Sequence, residues 1–254
     1  MSFIAIIPAR LASTRLPNKP LADIMGKPMV VRTAEQVQKT NAKAIYIATD
    51  SQQVIDVAQQ YGLKTLLTKP DHATGTDRLS EAVDLLGLED SEIVVNIQGD
   101  EPLIRPDLIE AVATQLQQQP NSAIATVATP YTSSQSFFDP NSVKVVCGLS
   151  GQALYFSRAP IPWARDALQA HPNTLATGLP ALHHIGIYAY RTSFLRQFPN
   201  LARGPLESFE SLEQLRALEN GYSISVHITH NAPALGVDTA ADLDKVREIF
   251  KNRL

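Results

Sequence analysis

The chain has 254 residues, of which 44 % are apolar and 19 % charged, and its formal net charge is −3. This composition is typical of a soluble globular protein and excludes a largely disordered chain. The slight negative charge argues against a nucleic-acid-binding surface, which needs an excess of basic residues. The single cysteine, Cys147, excludes an internal disulfide and a cysteine-rich zinc site. Because we find no secretory signal and no apolar run long enough to cross a bilayer, we expect a cytoplasmic protein that does not associate with membranes.

The first predicted strand is the apolar run that starts at Phe3, and we expect it to end at Pro8, which has no N–H for the ladder. The loop that follows carries Arg10, Arg15 and Lys19, with no acidic residue between them. Cations just past the carboxyl end of a buried strand lie where open α/β sheets bind ligands. They suit a polyphosphate. A solvated surface loop is the alternative, and the lack of a balancing acid favours phosphate.

Strand and helix patterns alternate through the first half of the chain. The predicted strands lie at 44–48, 64–67, 92–97 and 123–128, and the predicted helices at 29–37, 52–61, 76–86 and 106–118. Asp50 and Ser51 are predicted to cap the second of these helices. The alternation predicts a Rossmann-like α/β fold with a doubly wound, mostly parallel sheet and right-handed crossovers.

This alternation breaks near Ser142. Residues 143–147 and 153–156 predict a hairpin. The proline-punctuated segment 157–180 that follows is too long for an ordinary connection and is typical of a lid, a binding loop or an arm over a partner subunit. The remaining predicted elements are a strand at 184–190, a helix at 205–220, a strand at 222–228 and a helix at 239–250. We expect one domain, residues 1–254, with an inserted segment at about 142–190.

Acidic residues follow glycines at two points where a helix is about to begin. Asp100 and Glu101 come after Gly99 at the end of a predicted strand, and Asp238 precedes the last helix. Carboxylates in such places can hold a hard divalent cation, and each aspartate can also serve as a turn or helix cap. Two separated acids with a basic loop match metal-assisted phosphoryl or nucleotidyl transfer.

Two further groups each allow two interpretations. Residues 74–78 lie at a helix start, where free backbone N–H groups can meet a base or an anion, or where Thr76 simply caps the helix. Arg158 and Arg165, beside the only tryptophan, suit a carboxylate ligand or a subunit contact. The first loop has neither a Gly-x-Gly-x-x-Gly nor a Walker pattern, which argues against a dehydrogenase and an ATPase.

An ordered set of motifs extends over nearly the whole chain. Its members are Ile7–Leu21, Gly75–Arg78, Asn96–Pro102, Asn141–Val146, Ala153–Arg158, His184–Tyr188, Leu212–Arg216 and Gly236–Thr239. In this set the chain resembles the 3-deoxy-manno-octulosonate (KDO) cytidylyltransferase family. The resemblance implies a fold of the nucleotide-diphospho-sugar transferase type, with the inserted hairpin and arm used for homodimerisation. It also implies transfer of CMP from CTP to KDO, with Mg²⁺ as cofactor and pyrophosphate as second product, for lipopolysaccharide biosynthesis.

The resemblance further assigns roles to individual residues. The expected catalytic residues are Arg10, Arg15, Lys19 and Asp100. The expected CTP-binding residues are Pro8, Ala9, Arg10, Ser13, Arg15, Lys19, Thr74, Gly75, Arg78 and Gln98. The expected sugar-binding residues are Gln98, Arg158, His184, Tyr188, Glu210 and Gln214, and the expected metal ligands are Asp100 and Asp238. Asp100 could also deprotonate the attacking hydroxyl, and the sequence leaves both roles open. The competing functions are a cytidylyltransferase for another acidic sugar such as a sialic acid, a nucleotidyltransferase for a neutral sugar phosphate, and a non-catalytic nucleotide-binding module.

Overall fold

The structure, a computed structural model, describes residues 2–11, 16–231 and 234–252. The chain divides into two compact units, each with its own interior. Unit 1 comprises Met1–Thr114, Ile187–Pro199 and Pro233–Leu254, and unit 2 comprises Gln115–Gly186 and Asn200–Ala232. The segment predicted as an insertion at about 142–190 begins in unit 2 and ends in unit 1.

The described residues form strands and helices that alternate from α1 to α5. The strands are β1 Ile4–Ala9, β2 Asp23–Ile24, β3 Lys27–Pro28, β4 Ala44–Thr49, β5 Lys64–Leu67, β6 Ile93–Asn96, β7 Ile124–Pro130, β8 Lys144–Cys147, β9 Ala153–Ser157, β10 Leu182–Arg191 and β11 Ile224–Ile228. The helices are α1 Met29–Val37, α2 Gln52–Gln60, α3 Gly75–Leu85, α4 Pro106–Gln118, α5 Ser134–Phe138, α6 Arg165–Ala170, α7 Thr192–Gln197, α8 Pro205–Glu210, α9 Gln214–Glu219 and α10 Ala240–Lys251. Short 3-10 turns cover Lys19–Leu21 and Phe198–Asn200.

The sheet of unit 1 is mostly parallel, as the alternation predicts. Its strand order is β10–β6–β1–β4–β5, in which β6, β1, β4 and β5 are parallel and β10 is antiparallel to β6. Helices α1 and α3 pack against β1, and α2 packs against β4. Every residue from Phe3 to Ile7 is buried, which is why β1 is an unbroken apolar run rather than an alternating one. The predicted α/β fold class is confirmed.

The prediction that β1 ends at Pro8 is wrong, because the strand continues to Ala9. Successive residues of a parallel strand direct their backbone groups alternately to the two neighbouring strands. The carbonyl of Ile6 accepts from Ile97 N on the β6 side, so the nitrogen of Pro8 lies on that same side. There the pairing of β1 with β6 ends at Ile6, while the pairing with β4 continues to Ala9. The missing N–H of Pro8 therefore costs no ladder bond.

Unit 2 combines a parallel pair with an antiparallel hairpin. Strands β7 and β11 are parallel, β8 is antiparallel to β9 and β10, and β7 pairs with the first part of β10. The predicted hairpin is thus confirmed, but the single helix predicted at 205–220 is wrong. Two short helices, α8 and α9, replace it, because Ser211 has a left-handed backbone with φ of 51°. That conformation ends a helix built from L-residues.

Side-chain caps define several helix starts. Ser51 caps α2 by accepting from Val54 N at 3.4 Å, as predicted, whereas Asp50 forms an ion pair instead. Thr74, not Thr76, caps α3, and Thr239 caps α10; each forms a reciprocal capping box with an aspartate three residues later. Such a cap stabilises a helix by about 1 kcal/mol. Within the described ranges, no helix is both long and apolar enough to cross a membrane.

Candidate nucleotidyltransfer site

Three residues far apart in sequence meet at one point of unit 1. Lys19 Nζ lies 2.5 Å from Asp100 Oδ2 and 3.2 Å from Asp238 Oδ1. The lysine side chain is 13 % exposed, whereas the two aspartates are 35 % and 56 % exposed. One mostly buried ammonium therefore lies between two carboxylates that remain open to solvent, and all three are predicted site residues.

Backbone contacts bring the two aspartates together. The loop that carries Asp238 is fixed to the loop after β6, because Val237 N donates to Asp100 O at 2.9 Å. Val237 is itself buried in an apolar cluster with residues of α1 and α10. On the other side, a Cβ at Gly99 would lie 3.0 Å from Pro8 O, a distance tighter than ordinary packing. Gly99 thus lets the loop that bears Asp100 lie directly against the end of β1.

The donor set at this point fits a hard divalent cation. Both carboxylates already contact one cationic nitrogen, and carboxylate oxygens are the ligands that Mg²⁺ prefers. Among the described residues there is no group of three histidine, cysteine, aspartate or glutamate side chains that could hold a metal. Mg²⁺ is commonly bound by one or two carboxylates with water and substrate phosphates, not by a cage of protein ligands. Two carboxylates are therefore a suitable set for a metal that arrives with a phosphate.

Of the two adjacent acids after Gly99, only Asp100 is in contact with the cation. Burial, and to a lesser extent the charge of Asp100, raises the pKa of Glu101 to about 8. At neutral pH the Glu101 side chain therefore carries a proton for most of the time and is a poor ligand for a metal. The sequence offered both acids as candidates, and the structure separates them by their environment.

The phosphate-binding residues predicted after β1 are only partly within the described ranges. Pro8 and Ala9 form the end of β1, and Arg10 follows with a buried Nη2 that has no hydrogen-bond partner among the described residues. A buried guanidinium nitrogen without an acceptor is unfavourable unless a ligand supplies one. Ser13 and Arg15 lie outside the described residues. Arg10 is therefore available for an anion at the carboxyl end of β1.

The residues predicted to line a cytidine pocket lie at the start of α3. Thr74 Oγ1 accepts from Asp77 N at 3.1 Å, and Gly75 is the first helical residue. The Arg78 side chain is fully buried: its Nη2 donates to Asp50 Oδ2 at 2.8 Å, and its Nη1 donates to Thr68. Arg78 thus ties α3 to the ends of β4 and β5. We did not anticipate this ion pair, because nothing in the sequence around Asp50 distinguishes a cap from a partner of Arg78.

Gln98 and Tyr188 complete the predicted site residues of unit 1. Gln98 begins the turn after β6, and its carbonyl accepts from Glu101 N at 3.1 Å. The Tyr188 ring is stacked on that of Tyr190, with centroids 5.8 Å apart, and Tyr190 is in turn stacked on Phe194. The stack fixes the plane of the Tyr188 ring.

In unit 2, Arg158 and Glu210 bind each other rather than standing apart. Arg158 N donates to Glu210 Oε2 at 2.8 Å, and Arg158 Nε donates to the Glu210 carbonyl at 2.7 Å. The other carboxylate oxygen of Glu210 accepts from Ser157 Oγ at 2.5 Å and from Tyr155 OH at 3.3 Å. The Arg158 guanidinium also donates to the carbonyls of Pro140 and Ser211. Glu210 therefore contributes to the position of Arg158, a role that the sequence did not indicate.

The two other predicted sugar-binding residues of unit 2 are buried. The Nε2 of Gln214, at the start of α9, is buried and has no partner among the described residues. His184 Nε2 lies 2.9 Å from Thr126 Oγ1, and its ring packs edge-on against Phe156. Burial, and then the neighbouring His183, lowers the pKa of His184 to about 3. His184 is thus a neutral polar group at neutral pH.

Comparison with known proteins identifies the family. The model of the cytidylyltransferase family matches residues 4–225. The chain belongs to this family. It is accordingly a nucleotidyltransferase. The cytidylyltransferase family that the sequence motifs predicted is confirmed.

A solved structure gives a closer comparison for this cytidylyltransferase. It is that of a CMP:2-keto-3-deoxy-manno-octonic acid synthetase complexed with CTP, which is 38 % identical in sequence. The match has a TM-score of 0.90 and covers 100 % of this chain and 99 % of that one. The similarity therefore covers the fold from end to end and is not confined to a nucleotide-binding half.

A cavity of about 630 Å³ lies beside α3 of this cytidylyltransferase. Its lining includes Lys69, His72, Asp77, Glu81 and Asp84, none of which is a predicted site residue. Glu81 is paired with His72 at 2.5 Å, and Asp84 with Arg196 at 3.0 Å. Because these charges are already paired, the groups at the carboxyl ends of β1 and β6 remain the better candidates for substrate binding.

Proposed function

We propose that this protein is a CMP-KDO synthetase, which transfers CMP from CTP to the anomeric hydroxyl of KDO and releases pyrophosphate. The observation that carries the proposal is the contact of Lys19 with both Asp100 and Asp238, because it assembles the basic and acidic groups that nucleotidyl transfer needs. End-to-end similarity to a CMP:2-keto-3-deoxy-manno-octonic acid synthetase supports the choice of sugar.

The triphosphate is bound by the cations at the end of β1. Arg10 offers a buried Nη2 without an acceptor, and Lys19 offers an ammonium whose contacts with the aspartates can be exchanged for phosphate oxygens. Arg15 and Ser13 are assigned to the same triphosphate from the sequence. These groups stabilise the negative charge that builds up on the phosphoryl oxygens and on the leaving pyrophosphate. Thr74, Gly75 and Gln98 are assigned to the rest of the nucleotide.

The proposed cofactor is Mg²⁺, held by Asp100 and Asp238. When bound, it would neutralise phosphate charge and help to orient the triphosphate. We assign Asp100 to cation binding rather than to proton removal, because its Oδ2 already contacts a cation at 2.5 Å.

Arg158, His184, Glu210 and Gln214 of unit 2 are assigned to the acidic sugar, and the sequence assigns Gln98 and Tyr188 to it as well. Arg158 is the group for the sugar carboxylate. The guanidinium of Arg158 has five N–H donors, and three of them donate to backbone carbonyls. Among the described residues the other two have no acceptor, and two N–H donors are enough for a bidentate contact with a carboxylate. The buried Nε2 of Gln214 lacks an acceptor, which a sugar hydroxyl would supply. The anomeric oxygen forms a bond to the α-phosphorus as the bond to pyrophosphate breaks, and the proton of the anomeric hydroxyl passes to water.

We also propose that the protein is a cytoplasmic homodimer that serves lipopolysaccharide biosynthesis. The support for a dimer is a set of exposed apolar side chains in unit 2, namely Leu149, Leu154, Trp163 and Phe209. Exposed large apolar side chains, aromatic ones above all, are enriched at protein interfaces. A cytoplasmic location suits an enzyme whose substrate is a nucleoside triphosphate.

The proposed function is tested by measuring pyrophosphate release from CTP and Mg²⁺ with and without KDO. Release that requires all three components supports the proposal. Release with a sialic acid but not with KDO would keep the reaction and change the sugar. CTP binding without release for any acceptor would instead favour a nucleotide-binding module.

A further inference from the structure

Strand β8 of unit 2 contains a lysine that is buried completely. Lys144 has 0 % exposure in a run of otherwise apolar residues, where a leucine or methionine would pack without loss of hydration. Burial of an ammonium costs several kcal/mol unless it is well hydrogen-bonded. Consistent with that cost, burial lowers the pKa of Lys144. The Lys144 ammonium therefore needs hydrogen-bond acceptors that offset the cost of its burial.

The partners of Lys144 are two backbone carbonyls. Its Nζ donates to Asp139 O at 2.7 Å and to Arg158 O at 3.0 Å. The next carbonyl along the first of these segments, Pro140 O, accepts from Arg158 Nη1 at 3.0 Å. Lys144 thus holds both the backbone of Arg158 and the turn to which the Arg158 guanidinium donates.

Lys144 and Glu210 fix Arg158 from two sides. Glu210 holds the amide N–H and the Nε of Arg158, while Lys144 holds its carbonyl. The carbonyls of Glu210, Pro140 and Ser211 hold the guanidinium plane, and the two N–H groups that have no acceptor among the described residues therefore have one orientation. A bidentate contact to a carboxylate is sensitive to that orientation.

We propose that Lys144 is a positioning residue that holds the Arg158 guanidinium in place for the carboxylate of the acidic sugar. The inference rests on the proposed function, since it assumes that Arg158 binds that carboxylate. Lys144 itself does not contact substrate.

The test is a double-mutant cycle on the full chain, with Lys144→Met and Arg158→Gln made singly and together. We expect Lys144→Met to raise the KM for KDO about tenfold or more while the KM for CTP stays within about twofold, as for a misplaced substrate-binding group. In the double variant the KM for KDO should equal that of Arg158→Gln alone, because the two residues act through one contact.

A control variant separates positioning from a general loss of stability. Tyr131 OH hydrogen-bonds to Ser142 O and Val143 O, just before Lys144, and does not contact Arg158. Tyr131→Phe should lower the melting temperature and leave the KM for KDO unchanged. If Lys144→Met does not fold, the cycle is run with Lys144→Gln, which keeps two N–H donors without the charge.

Additive effects of the two substitutions, or an equal rise in both KM values, would overturn the positioning role. Failure of the proposed function has a different signature, because then the wild-type protein itself releases no pyrophosphate in a KDO-dependent manner.

Discussion

Removal of the Lys19 ammonium should affect metal binding and catalysis in opposite directions. In the structure, Lys19 Nζ occupies the point where the carboxylates of Asp100 and Asp238 meet. A divalent cation that binds the same two carboxylates must displace this ammonium or stand beside it. We therefore predict that Lys19→Met raises the affinity of the protein for a divalent cation in the absence of nucleotide. The same substitution should lower turnover, because the cation that we propose for phosphate binding is lost.

The size of the effect follows from the charges. A unit charge and a divalent ion about 4 Å apart repel each other by several kcal/mol at an effective dielectric constant of about 20. Asp238 is 56 % exposed, and the lysine can turn away into solvent, so only part of this energy is felt. A residual of about 1.4 to 2.8 kcal/mol corresponds to a tenfold to hundredfold tighter metal Kd.

The assay is titration with Mn²⁺, followed by electron paramagnetic resonance of the free ion, in the absence of CTP. Lys27→Met is the matched control: Lys27 is paired with Glu35 elsewhere in unit 1, and its loss should leave Mn²⁺ binding unchanged. A Lys19→Met protein that folds normally but binds Mn²⁺ no more tightly than wild type would refute the competition of the two cations for one site.

Three further changes test other parts of the molecule. Asp100→Asn should lower turnover at least about a hundredfold, as expected for lost electrostatic stabilisation, when pyrophosphate release is measured at saturating substrates. His184→Gln should make stability less dependent on pH. The unfolded histidine gains a proton below about pH 6.5 and the native one only near pH 3, so wild-type stability falls as the pH drops, by about 2 kcal/mol at pH 5. Phe209 is 92 % exposed. Phe209→Glu should convert the proposed dimer to a monomer, as measured by the molar mass from light scattering after gel filtration.

Each of these predictions has an outcome that would contradict it. The control for Asp100→Asn is Asp107→Asn, which removes a carboxylate from an exposed ion pair with Arg105 and should keep full turnover. Near-normal turnover of Asp100→Asn would show that Asp100 does not belong to the catalytic site. Thermal melting is measured at pH 5.0 and 7.5. A difference between the two melting temperatures that is as large in His184→Gln as in wild type would contradict the neutral, buried state of His184. A dimer that survives Phe209→Glu would place the interface elsewhere.

The sequence predicted the parallel core well because each element there has a strong local signal. Buried strand β1 is an unbroken apolar run, and β6 is apolar except for Asn96. The bounds of α1, α4 and β5 are the predicted ones. The short helices α5, α6 and α7 were missed, since five or six residues are too few to show a helical period. The break between α8 and α9 was also missed, because no Gly or Pro stands at Ser211.

That break has a tertiary cause. The carbonyls of Glu210 and Ser211 accept from the Arg158 guanidinium, so they need no helical N–H donor. The interaction joins residues more than fifty positions apart, and no local pattern reveals it. The same holds for Glu210: its type and position suggested a ligand for sugar, whereas its carboxylate is hydrogen-bonded to Ser157 and to the backbone of Arg158.

In the candidate site, too, the sequence predicted which residues belong together but not the contacts between them. Motifs predicted that Lys19, Asp100 and Asp238 belong to one reaction, but not that Lys19 contacts both aspartates. Their contact has a physical rationale: two carboxylates held together by Val237 would repel each other without a cation between them. If a triphosphate bound the ammonium and a divalent ion bound the two carboxylates, each charged group would exchange one partner for another of the same sign. We therefore expect metal and nucleotide to bind with positive coupling, since each removes the competitor of the other.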